Sequence, residues 1–107
     1  MDKAIGDLLS AAARAADPAT TAGMDATFQF VAEGEDGGVW CVRVCNNRVE
    51  VAEAATEEPD IVLTASADVW RSILTGSVAG RDALLQGALT LQGDVTLAMQ
   101  LERVFGL

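Results

Sequence analysis

Apolar residues recur at helical spacing near the start of the chain, alternate with polar ones through the middle, and return to helical spacing in the last third. Residues 2–16 place Ile5, Leu8, Leu9 and Ala12 on one helical face, and the alanines favour helix throughout. Asp17-Pro18 ends that helix, and residues 19–25 form a linker of small residues. Residues 27–33 alternate, with Phe28, Phe30 and Ala32 on one face, which predicts a strand with one dry side. Glu35-Asp36-Gly37-Gly38 reads as a hairpin connection. Residues 39–45 form the next strand, with Trp40, Val42 and Val44 inward and Cys41, Arg43 and Cys45 outward. Asn46-Asn47 suits a tight turn because Asn tolerates positive φ. Residues 48–53 return with Val49 and Val51 inward, residues 54–59 make an acidic loop, and residues 60–66 give a fourth strand. Ser66 is placed to cap the helix that follows.

The last third is punctuated by glycines. Val69, Trp70, Ile73 and Leu74 form an apolar helical stripe that stops at Gly76. Residues 81–86 make a second short helix, stopped by Gly87. Residues 88–92 alternate, with Leu89 and Leu91 on one face and Thr90 on the other. Gly93 turns the chain, and Asp94 can cap a closing helix whose Leu97, Leu101, Val104 and Phe105 share a face, widened by Ala98 and Met99. The order α-β-β-β-β-α-α-β-α predicts an α+β fold: a mainly antiparallel five-stranded sheet covered on one face by helices. One domain spans residues 1–107, with helix and linker over 1–24 and the sheet and covering helices over 25–107.

Composition narrows the function. Half of the 107 residues are hydrophobic, yet only three are Phe, two are Trp and none is Tyr. Ala, Val and Leu therefore supply most of the core volume. Sixteen acidic against seven basic residues give a net charge of −9, which disfavours nucleic acid and electrostatic docking on an anionic membrane. No stretch approaches a membrane span and no signal peptide opens the chain, so a cytoplasmic protein without stable membrane insertion is expected. The absence of His removes the commonest general base and any Ser-His or Cys-His pair. No phosphate-binding glycine loop is present. The carboxylates lie in turns and on outward faces, as a solvated surface requires. Cys41 and Cys45, four residues apart on one strand, stand about 13 Å apart, too far for a mutual disulfide. No metal site or cofactor is indicated. What remains is an apolar helix layer carrying Trp70, Leu84, Leu85, Leu97, Met99 and Phe105. Such a layer is either a filled core, which residue types alone favour, or the wall of an apolar ligand cavity.

Four segments, in order, resemble the sterol carrier protein 2 (non-specific lipid-transfer) family, in particular its small stand-alone prokaryotic members. They are the V-W-C-V-R-V strand from Val39 with its Asn turn, the I-V-L-T-A-S-A-D run from Ile61, the helix ending Leu74-Thr75-Gly76, and L-L-Q-G-A-L-T-L-Q-G-D from Leu84 running into L-A-M-Q-L from Leu97. The resemblance covers residues 27–105. Leu84-Leu85 stands where an aromatic pair is often found, and Phe105-Gly106-Leu107 is no peroxisomal address. The resemblance implies a hydrophobic tunnel holding a small lipid-like ligand — fatty acid, acyl-CoA, sterol-like or isoprenoid — and no catalysis. Its walls would draw on Trp70, Ile73, Leu74 and Leu89, on Leu84, Leu85 and Gln86, and on Leu97, Met99, Leu101 and Phe105. Trp70 either caps the tunnel or fills the core. Gln86 either orients a head group or bonds the helix end. Met99 is an adaptable wall or a gap-filler, and Phe105 a lid or an anchor. Arg71 and Arg81 either meet a ligand's carboxylate or phosphate or are solvated. The alternative is an interaction module with a filled core, pairing two subunits or docking a partner enzyme. A monomer and a homodimer are both open.

Overall fold

Alternation places one row of side chains from every strand on the same face, and the strand register locks those rows together. The computed structural model describes residues 5–15, 23–35, 37–45 and 48–105, the last five as backbone. The strands are β1 (Ala26–Glu33), β2 (Gly38–Cys45), β3 (Arg48–Ala52), β4 (Ile61–Ser66) and β5 (Leu89–Gly93). They form one sheet in the order β3-β2-β1-β4-β5. Three pairings are antiparallel, whereas β1 and β4 run parallel, so the sheet is mixed. Phe28 stands beside Val42 and Ile61, and Phe30 beside Trp40 and Leu63. Val51 extends the first of these rows and Leu91 the second. These rows, with Ala26, Ala32, Val44, Ala65 and Leu89, make the buried face.

Helices close that face. Helix α1 (Ile5–Ala15) buries Ile5 and Leu9, and α2 (Ala67–Leu74) buries Ala67, Trp70 and Ile73. Helix α3 (Gly80–Leu85) buries only Ala83. Helix α4 (Val95–Phe105) lays Leu97 and Ala98 against the core. At Gly6 a side chain would meet Trp40 Nε1 at 2.7 Å, so this glycine lets α1 settle directly onto the Trp40 ring.

The expected caps form. Ser66 Oγ accepts the Val69 N–H at 3.2 Å, and Asp94 Oδ1 accepts the Thr96 N–H at 2.9 Å. Helices α2 and α3 both end in Schellman motifs. Ser77 N–H reaches Ser72 C=O at 2.8 Å and Gly76 N–H reaches Ile73 C=O at 3.2 Å; Ala88 N–H reaches Ala83 C=O at 2.9 Å and Gly87 N–H reaches Leu84 C=O at 3.2 Å. Gly76 and Gly87 supply the positive φ these motifs require. Cys45 and Arg48 are register partners, so two residues join β2 to β3. Asn46-Asn47, Asp36 and most of the 19–25 linker lie outside the described residues. Among the described residues, no helix is long and apolar enough to cross a membrane.

Candidate functional site

The two Schellman motifs shape a cleft between α2 and α3. The second one folds Ala88 back over Ala83. Along α2, Val69 and Ser72 sit one turn apart, beside the face that carries Trp70 and Ile73 into the core. Together with Val78, these residues line a cavity of about 170 Å³, with Asp68 and Gln86 completing its wall. Its floor of Val and Ala methyls is apolar, and its polar groups are few. Asp68 forms an ion pair with Arg71, Oδ1 to Nη1 at 3.3 Å. Gln86 closes α3 through its backbone, whose N–H reaches Asp82 C=O at 3.0 Å, while its side chain is exposed.

The described apolar residues expected to wall a tunnel fall into three groups. Trp70, Ile73 and Leu89 belong to the closed core. The Trp70 ring stacks on Phe30 with centroids 5.0 Å apart, and its Nε1–H donates to Val31 C=O at 2.8 Å. Leu74 and Leu97 are half-buried and pack against that core. Leu84, Leu85 and Met99 face outward, 40%, 79% and 69% exposed, with Val95 at 59%. Met99 therefore does not widen the buried face of α4. At 100° per residue it falls beside Val95 and nearly opposite Leu97. The side chains of Leu101 and Phe105 lie outside the described residues. Of the residues lining the cleft, Gln86 alone is one that the sequence marks as a site residue; Asp68, Val69, Ser72, Val78, Ala83 and Ala88 are not. For Val78 and Ala88, a small apolar residue close after a helix-stopping glycine is the only sequence signal.

Among the described residues, no group of three or more His, Cys, Asp or Glu side chains could hold a metal ion. Cys41 and Cys45 are both free and half-buried on the outer face of the sheet.

Residues 5–106 match the SCP-2 sterol transfer family. Hydroxysteroid dehydrogenase-like protein 2 of Xenopus tropicalis is 30% identical over 80 residues, 74% of this chain and 19% of that protein. The chain thus spans about a fifth of the length of the curated relatives it matches. The solution structure of palmitated SCP2L2 from Aedes aegypti superposes with a TM-score of 0.81 at 26% identity, covering 97% of this chain and 93% of that one. The crystal structure of sterol carrier protein 2 like 2 from the same species gives 0.75 at 27% identity, covering 94% and 92%.

Proposed function

Because the chain belongs to the SCP-2 sterol transfer family, a family of lipid- and sterol-binding domains, we propose that it binds a single long acyl chain at the cleft between α2 and α3 and carries it without chemical change. The observation that carries this reading is the cleft itself. Val69, Val78, Ala83 and Ala88 make an apolar floor, with Ser72 and Gln86 as uncharged polar groups, and the exposed Leu84 and Leu85 lie in sequence between the lining residues Ala83 and Gln86. The palmitated mosquito relative, similar over nearly its full length, supports an acyl chain as the ligand class.

The cavity of about 170 Å³ is smaller than the roughly 300–1,000 Å³ of sites that enclose a whole drug-sized ligand. Uptake therefore requires an element to move, and α3 is built for it. It is six residues long, buries only Ala83, has no side-chain cap at its start, and is bracketed by the glycine-closed turns at Gly76 and Gly87. Shifting α3 opens the cleft toward β5, against which α3 packs, without parting the Phe30–Trp70 stack. Leu84 and Leu85 then turn from water onto the ligand. Each Å² of apolar area that leaves water contributes about 25 cal/mol. Ser72 and Gln86 hold the ligand's polar end at the mouth.

The test is native mass spectrometry of protein purified under mild conditions, with extraction of what travels with it and back-titration with palmitate. A one-to-one adduct with a fatty acid or its ester is the expected result. Protein that is empty as isolated and takes up no palmitate overturns the reading.

A further inference from the structure

The two edges of the sheet differ in charge. On β3, Arg48 and Glu50 are exposed, so a copy of this strand paired antiparallel about Glu50 would oppose like carboxylates. On β5 no residue is charged, and Asp94 is the only charged residue between Asp82 and Glu102 in the sequence. Charge depletion of this kind marks the centre of protein interfaces.

The backbone of β5 can be oriented from its neighbours. Thr27 turns both backbone groups toward β4: its N–H meets Asp60 Oδ2 at 2.7 Å, and its carbonyl accepts the Asp60 N–H at 2.9 Å. In a parallel pair, the residues that bond across are offset by one from their register partners. With Phe28 opposite Ile61, it follows that Ile61, Leu63 and Ala65 face β1. Val62 and Thr64 then face β5, opposite Gln92 and Thr90. Two contacts agree, Asp94 N–H to Asp60 C=O at 3.3 Å and Thr90 Oγ1 to Thr64 C=O at 3.3 Å. Leu89, Leu91 and Gly93 therefore aim their N–H and C=O groups away from the sheet. Among the described residues, no hydrogen bond outside the ladder takes these groups up.

We propose that this edge pairs antiparallel with β5 of a second copy of the chain, about a two-fold axis beside Leu91. In that register Leu91 faces its counterpart, and Leu89 faces Gly93 of the partner subunit. Every outward N–H and C=O of the three residues is bonded reciprocally. On the outer face Thr90 meets Gln92 of the partner subunit, so no charges are opposed. The two-fold also joins unlike ends of the strand. The end of β5 that follows α3 in one copy lies at the end that precedes α4 in the other. For two chains of charge −9 each, a charge-free edge is where close approach meets least repulsion. A lipid surface does not fit the strand itself, because it cannot bond the outward N–H and C=O groups.

Amide hydrogen exchange on the intact protein, paired with sedimentation at rising concentration, tests this. The expected result is a species of twice 11.1 kDa in which the Leu89, Leu91 and Gly93 amides slow by at least about tenfold relative to dilute protein. Thr90 and Gln92, bonded within the sheet, stay protected at both concentrations. The double variant Thr90→Glu/Gln92→Glu sediments as monomer and forms a one-to-one heterodimer with Thr90→Lys/Gln92→Lys. A monomer at every concentration overturns the proposal. So does a dimer whose Leu91 amide exchanges as fast as in dilute protein. Should a variant fail to fold, the wild-type exchange pattern decides.

Discussion

Phe30 and Trp70 lie face to face, ring centroids 5.0 Å apart and planes within 3° of parallel. The stack joins the central strand to α2, and Trp70 Nε1–H fixes the ring by donating to Val31 C=O at 2.8 Å. In a chain with five Phe and Trp residues in all, this pair supplies a large part of the core's aromatic volume. Trp70→Phe keeps a ring and removes the donor, leaving the carbonyl one partner short. Chemical denaturation is expected to show a loss of about 1–3 kcal/mol. Trp70→Ala, which also opens a cavity, is expected to lose about 3–5 kcal/mol.

Gly6 gives a prediction of opposite sign to helix propensity. Ala in place of Gly inside an exposed helix ordinarily stabilises by about 1 kcal/mol. Here the added methyl would sit 2.7 Å from Trp40 Nε1 on a buried ring. Gly6→Ala is therefore expected to lower the denaturation midpoint; a raised midpoint would mean that α1 does not rest on Trp40.

Gly93 and Gly76 separate backbone strain from crowding. Both have positive φ, 126° and 83°. A side chain at Gly76 enters open space, whereas one at Gly93 meets Asp60 C=O at 2.6 Å and Ile61 Cα at 2.9 Å. Gly76→Ala is expected to cost about 1–2 kcal/mol, the ordinary left-handed penalty. Gly93→Ala is expected to cost clearly more, because backbone of β4 must shift as well. Equal losses in urea melts would contradict the close approach of β5 to β4.

Leu85 separates stability from binding. Its side chain is 79% exposed, so Leu85→Ser is expected to change folding stability by no more than about 0.5 kcal/mol. Palmitate affinity, read by displacement of a fluorescent fatty acid, is expected to fall about three- to tenfold. Unchanged affinity would place Leu85 away from the bound chain.

Much of the fold was legible because alternation and glycine positions act locally. Phe28, Phe30 and Ala32 declared the dry face of β1, as Trp40, Val42 and Val44 did for β2, and Ser66, Asp94, Gly76 and Gly87 marked helix ends through their own backbone chemistry. The parallel pairing of β1 with β4 was not legible. It depends on Phe28 meeting Ile61 across the intervening hairpin strands, and nothing local distinguishes the two directions. The roll of α4 was also hidden. Val95, Leu97, Ala98 and Met99 are all apolar, and only packing reveals that Leu97 and Ala98 face the core while Met99 and Val95 face out. The same ambiguity covered Leu84 and Leu85, adjacent leucines on a helix that buries Ala83 instead. The cleft residues Val78 and Ala88 owe their place to the two Schellman turns, whose long-range consequence a linear pattern does not carry.

An acyl chain that enters between α2 and α3 must perturb the backbone amides around the cleft, and titrating uniformly ¹⁵N-labelled protein with palmitate reads them residue by residue. The expected result is saturable one-to-one binding with the largest amide shifts at Val69, Val78, Ala83, Leu85 and Ala88, and little change at Phe30 or Val42. Shifts confined to other parts of the fold, or no saturable change, would contradict entry there.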